Sequence, residues 1–198
     1  MPGLGMFDKI FQFEQALAEF TGAPYVIMTD CCTHAIELCM RYKKVQKTSF
    51  TAFTYLSIPM LMKKLGITYG HISEKWTGEY RFYGTDIWDS ARRLEKNMYR
   101  PWQMQCVSFG HTKPLQIGRG GAILLDDKAA YDAMICMRYD GRDLNIQPWI
   151  SQQQFRVGYH YRPTIEEAER GFELLSQYQS QTPLLVEYPD LRTITITD

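Results

Sequence analysis

Apolar residues recur at helical spacing in FDKIFQFEQALAEFTG (Phe7, Ile10, Phe11, Phe13, Leu17, Phe20), and Gly22 follows. This pattern predicts an amphipathic helix over about residues 6–20. The pattern then shortens to APYVIMT, an apolar, β-branched run that reads as a strand, and returns to helical spacing in CTHAIELCMRYKK. The alternation continues with KTSFTAF (strand), TYLSIPMLMKKLG (helix ended by Gly66), ITYGHI (strand), a turn at Trp76–Gly78 and YRFYGTDIW (strand). MQCVSFG and GGAILLDD read as strands, and DDKAAYDAMICMRYDG as a helix started by Asp126 or Asp127. Residues 142–158 read as a polar loop. A last helix runs from about Thr164 to Tyr178, with Glu166 and Glu167 favouring its positive N-terminal end. The closing RTITITD is either an edge strand or a disordered end. Alternating strands and helices predict a three-layer α/β fold, a mostly parallel sheet flanked by helices.

Composition narrows the class. The chain has 198 residues, of which 45% are hydrophobic, enough for one ordinary domain with a full core. Its 22 basic residues match 22 acidic ones, so no overall field draws it to nucleic acid or an anionic membrane. No apolar run approaches the roughly 20 residues of a membrane helix, and Asp8 and Glu14 interrupt any leader-like stretch, so a cytoplasmic protein is expected. The five cysteines lack the paired spacing of a zinc site or a disulfide framework and read as reduced. No metal is expected: Cys31, Cys32 and His34 crowd too closely for tetrahedral zinc.

In a sheet of this kind ligands bind beyond the carboxyl ends of the strands, so the residues there carry the chemistry. They are Cys32 and Thr33, Tyr55 with Ser57, Asp89, and Ser108 with Lys113. A lysine, a carboxylate, an aromatic and a helix N-terminus are the groups that pyridoxal phosphate (PLP) requires. The lysine forms a Schiff base, the acid keeps the pyridine nitrogen protonated, the aromatic stacks on the ring, and helix-start amides hold the phosphate. Each residue also has a plainer reading: a solvated Lys113, an Asp89 capping a helix at SARRLEK, a Tyr55 in the core. His111, two residues before Lys113, either assists proton transfer or packs.

Taken in order, these stretches resemble the DegT/StrS family of sugar aminotransferases, PLP enzymes of fold type I, from Phe11 to about Tyr178. TDCCTHAIEL stands where members have a glycine and threonine opening a helix, with Cys32 in the glycine's place and Thr33 matching. TYLSIP, WDSAR, SFGHTK with GRGG, and GYHYR match four further stretches. The resemblance implies that Tyr55 stacks on the cofactor, Asp89 pairs with the pyridine nitrogen, Ser108 binds the phosphate and Lys113 forms the Schiff base. It also implies that His160 and Arg162 reach into the neighbouring subunit's site in a homodimer, His160 toward the cofactor and Arg162 toward substrate.

Beyond Cys32, the chain departs from the pattern in three larger ways. Arg92 stands where Gln or His is usual, a cation that could tune the cofactor or recruit a carboxylate. One βα unit is missing between ITYGHI and YRFYGTDIW. Members also continue into a small domain, so residues 1–178 are expected to form the cofactor-binding domain and 179–198 a short remnant tail. The resemblance implies transfer of an amino group from an amino acid to a keto group, as on a nucleotide-linked sugar. The alternatives are another PLP reaction (decarboxylation, elimination, modified-nucleotide chemistry) and a binding module without turnover.

Overall fold

A computed structural model describes residues 7–183, 185 and 187–197. Its elements are α1 (Asp8–Thr21), β1 (Tyr25–Thr29), α2 (Cys32–Tyr42), β2 (Lys47–Thr51), α3 (Ser57–Leu65), β3 (Thr68–Ile72), β4 (Tyr80–Arg81), β5 (Ile87–Asp89), β6 (Met104–Ser108), β7 (Gly121–Leu125), α4 (Lys128–Arg138) and α5 (Ile165–Ser176). Local chemistry accounts for several of the boundaries. Gly22 takes a left-handed φ of 75° and returns its amide to Ala18, which closes α1. Asp127 caps α4 by accepting from the amides of Ala129 and Ala130. Thr164 and Glu167 form a reciprocal capping box at α5.

The fold is the expected three-layer α/β arrangement. Five strands form one sheet in the order β1-β7-β6-β5-β4, with β2 and β3 paired in parallel beside it. β7 runs antiparallel between β1 and β6, β5 lies parallel to β6, and β4 turns back on β5. A bridge from Ser49 to Tyr83 ties β2 to the end of β4. β1, β2, β3, β5 and β6 therefore run one way, and β4 and β7 the other.

Strand alternation sorts side chains onto two faces. Val26, Met28, Val107, Ala122 and Leu124 pack under α1 and α5 through Phe13, Leu17, Ala168 and Leu175. Ile27, Cys106, Ile123 and Leu125 pack under α2 and α4 through Ala35, Ile36, Leu38, Ala130 and Met134. Between α1 and α4, the buried Glu14 and Arg138 form an ion pair that clamps both the amide and the carbonyl of Met28 in β1.

Four sequence expectations change. YRFYGTDIW is a hairpin, β4 and β5, because Thr85 and Gly84 turn the chain and the Thr85 amide bonds to the Phe82 carbonyl. SARRLEK is not a helix: of its amides Asp89 accepts that of Ala91, two residues on, and Ser90–Arg93 closes a turn. A short 3-10 turn, Trp149–Ser151, interrupts the loop at 142–158. RTITITD starts with another, Leu191–Thr193, in which Leu191 is buried and its amide bonds to Ala52, so no edge strand forms over the described residues; Asp198 lies outside them. No helix among the described residues is long and apolar enough to cross a membrane.

Candidate active site

Seven of the nine residues singled out from the sequence line one cavity of about 410 Å³: Cys32, Thr33, Tyr55, Asp89, Arg92, Ser108 and Lys113. That volume lies within the range of small-molecule sites, roughly 300–1,000 Å³. The strand ends position these groups. Asp89 ends β5, Ser108 ends the adjacent β6, and Cys32 and Thr33 open α2 after β1.

The α2 N-terminus reaches the cavity because β7 lets it approach. A Cβ on Gly121 would lie 2.4 Å from the Cys32 nitrogen and 2.6 Å from its Cα, so only glycine fits. Cys31 caps the helix through its sulfur, which accepts from the His34 amide at 3.4 Å. The Thr33 hydroxyl pairs with that of Ser57, the first residue of α3, at 2.8 Å. Hydroxyls of Thr33, Ser57 and Ser108 thus join the first amides of an 11-residue helix around one space. That is a donor set for an anion such as a phosphate.

Asp89 is only 5% exposed. Its Oδ2 accepts from the Tyr80 hydroxyl at 2.8 Å and its Oδ1 from the Ala91 amide at 3.0 Å. Tyr80 also meets the Thr54 hydroxyl at 2.7 Å; since the carboxylate can only accept, Thr54 donates to Tyr80 and Tyr80 to Asp89. Burial pushes the Asp89 carboxyl up, while Tyr80, the Ala91 amide and the charges of Lys113 and Arg92 pull it down. A buried acid so placed favours a cationic N–H partner.

Lys113 follows β6 in a turn fixed by its own amide to the Gly110 carbonyl at 3.0 Å. Among the described residues no acid lies within ion-pair distance of its ammonium. Tyr55 stands at the rim, 62% exposed, an aromatic face without a ring partner among the described residues. Cys32 is held in, its thiol donating to the Cys106 carbonyl at 3.6 Å, and burial raises it well above the ordinary thiol range.

His160 and Arg162 do not join this cavity. They line a neighbouring hollow with Asp30, Arg119, Glu166 and Glu167. His160 sits 3.2 Å from both Asp140 carboxylate oxygens, and the Arg162 guanidinium lies over the rings of Tyr139 and Phe7. Arg119 lines both spaces, bonded to Asp30 at 3.0 Å. The ligand-type atoms of Asp30, Cys31 and His34 lie within 4.8 Å of one another. They are engaged with each other and with Arg119. Burial lowers the His34 imidazole, but hydrogen bonds to Asp30 and Cys31 outweigh it and push the group up to about 9.

Sequence reasoning missed Tyr80, Trp76 and Tyr188. Tyr80 orients the acid. Tyr188, from the C-terminal segment, stacks on Trp76 with ring centroids 5.9 Å apart, and both line the cavity. The Trp76 indole is fixed in turn by the Phe53 carbonyl at 2.6 Å. No motif marks them; the only signal was an aromatic near each turn.

With this geometry in view, comparison with known proteins becomes specific. The model of the DegT/DnrJ/EryC1/StrS aminotransferase family matches residues 4–68 and 98–180. The chain belongs to this family. Solved structures agree on the fold, that of fold type I PLP-dependent aminotransferases. AtS13 from Actinomadura melliaura superposes with a TM-score of 0.75 at 18% identity, over 87% of this chain and 61% of its own. 3-Amino-5-hydroxybenzoic acid synthase gives 0.70 at 18%, over 86% and 56%. GDP-4-keto-6-deoxymannose-3-dehydratase, solved with a trapped PLP-glutamate geminal diamine, gives 0.71 at 15%, over 86% and 61%. The chain therefore spans about three fifths of the length of these structures. No curated protein matches it. The unmatched interval, 69–97, holds the stretch before YRFYGTDIW where a βα unit was expected to be missing and the hairpin that follows, and with them Trp76, Tyr80, Asp89 and Arg92.

Proposed function

We propose that this family member binds PLP in the 410 Å³ cavity and transfers an amino group from an amino acid to a keto group, as on a nucleotide-linked sugar. One observation carries the reading: a buried acid, a lysine with no acid at ion-pair distance among the described residues and a hydroxyl-ringed helix N-terminus line a single cavity. The donor set fits the cofactor. Asp89 is a buried acceptor for a protonated pyridine nitrogen, and the α2 N-terminus with Thr33, Ser57 and Ser108 is a cradle for its phosphate. Cys32 would sit against the cofactor through its backbone. Tyr55 would cover a ring face, and Lys113 would hold the aldehyde carbon.

When bound, the cofactor supplies an electron sink for the carbanion formed at a substrate's Cα. Burial leaves the Asp89 carboxyl raised despite the donations from Tyr80 and Ala91, so a protonated ring nitrogen against it would be what draws it to the ionised form that keeps that sink effective. Lys113 would hold the cofactor and, with its amine free, would be the base that takes the proton from the substrate's Cα. Arg92 stands beside the acid as a second cation of the cofactor pocket. Trp76 and Tyr188 narrow the cavity and exclude water.

On this reading residues 1–178 form the cofactor domain and 179–198 a tail that contributes Tyr188. The protein acts as a homodimer, with the hollow of His160 and Arg162 facing the partner's site. Addition of L-glutamate alone to the PLP-loaded protein is expected to convert the visible absorption of the bound cofactor to that of pyridoxamine phosphate, and 2-oxoglutarate to restore it. A spectrum unmoved by glutamate and other amino acids would move the function to a different PLP reaction.

A further inference from the structure

The cavity holds one cation that the cofactor reading leaves without an anion. Arg119 is offset by Asp30, and Lys113 is taken by the cofactor. Arg92 has no acid within ion-pair distance among the described residues. Of its five N–H donors one makes a full bond, Nη1 to the Thr112 carbonyl at 2.7 Å. Nη2 lies 3.5 Å from the Tyr188 hydroxyl, at the limit of a hydrogen bond, and Nε is buried with no partner among the described residues. Nε is closed to solvent, so the donors left for a ligand acceptor are the second N–H of Nη1 and those of Nη2.

The surroundings select the acceptor. Thr112 adjoins Lys113, and Arg92 is three residues from Asp89, so the guanidinium is tied to the segments that carry both reacting groups. The Tyr188 ring lies 5.9 Å from the guanidinium carbon, and its hydroxyl adds a neutral donor on the same side. A planar fork with a free edge beside a hydroxyl fits a carboxylate in bidentate geometry.

We propose that Arg92, assisted by Tyr188 from the C-terminal segment, is the carboxylate anchor of this site, so that the amine-bearing substrate is an amino acid held by one of its carboxylates. The proposal rests on PLP binding in the same cavity. It gives the tail a task in substrate recognition: Tyr188 sits on Trp76 and reaches Arg92, closing the carboxylate subsite from the C-terminal side.

The test titrates the PLP-loaded protein with L-glutamate, its α-amide L-isoglutamine and its γ-amide L-glutamine, reading the absorbance of the bound cofactor, in the wild type, R92Q and R92K. The wild type is expected to bind glutamate about tenfold or more tighter than one of the two amides, a preference of the size a charge-assisted fork gives. In R92Q that preference should shrink to about twofold or less, with R92K in between, when all three proteins are compared at equal bound PLP. A merely structural role would not couple the arginine to one carboxylate of the ligand. The proposal is overturned if R92Q keeps the wild-type preference, if the wild type shows no preference or binds none of the three, or if R92Q loses PLP rather than discrimination. Failure of the wild type to take up PLP at all is a different result: it sinks the cofactor reading first and this inference with it.

Discussion

Asp89→Asn is expected to leave the fold and the attachment of PLP to Lys113 in place while lowering turnover about a hundredfold or more, near 2.7 kcal/mol of barrier. The two effects separate because the residues do different work. Attachment needs the lysine and the phosphate cradle, whereas withdrawal of electrons from substrate Cα needs a charged acceptor at the pyridine nitrogen. Asparagine keeps the size of the side chain and can still accept from Tyr80, but it carries no charge to hold the ring nitrogen protonated. Cofactor content by absorbance and the rate of the amino-acid half-reaction, measured on the same preparation, check this. A variant with full turnover would remove Asp89 from the mechanism, and one without cofactor would make it a binding residue instead.

The second large effect lies at the edge of the sheet, on β1. Arg138→Met is expected to destabilise the protein by about 3 kcal/mol or more, because it leaves the Glu14 carboxyl buried without its cation. Glu14 and Arg138 are 4% and 3% exposed, and the pair is not fully satisfied: among the described residues Glu14 Oε2 and Arg138 Nε lack partners. Its net value over a well-packed apolar pair is accordingly small, so Glu14→Leu with Arg138→Met should recover much of the loss. Urea unfolding of the two single variants and the double variant measures this. Equal loss in single and double variants would contradict the reading. The pair matters to the site because both groups hold Met28, and β1 leads from there to the turn that starts α2.

Much of this arrangement was legible in the sequence, for identifiable reasons. Helical spacing and terminal glycines gave the helices, since periodicity and αL caps are local properties. The site residues at strand ends were found because α/β sheets place ligands there, so Asp89, Ser108 and Lys113 could be brought together before any coordinates. What escaped was set by long-range contact. YRFYGTDIW reads as one strand until Thr85 and Gly84 are seen to turn it, and RTITITD alternates like a strand although Leu191 is held by Ala52. Tyr80 and Tyr188 act through partners 9 and 96 residues away, Asp89 and Arg92, and such pairings leave no mark on a local pattern.

The central claim is that this cavity holds PLP on Lys113. The most direct test incubates wild type and Lys113→Ala with PLP, reduces both with borohydride and locates the label by peptide mass. The account predicts a phosphopyridoxyl group on the peptide containing Lys113 in the wild type and no site-specific label in the variant. An unlabelled wild type, or a label on another lysine with Lys113 untouched, would contradict it.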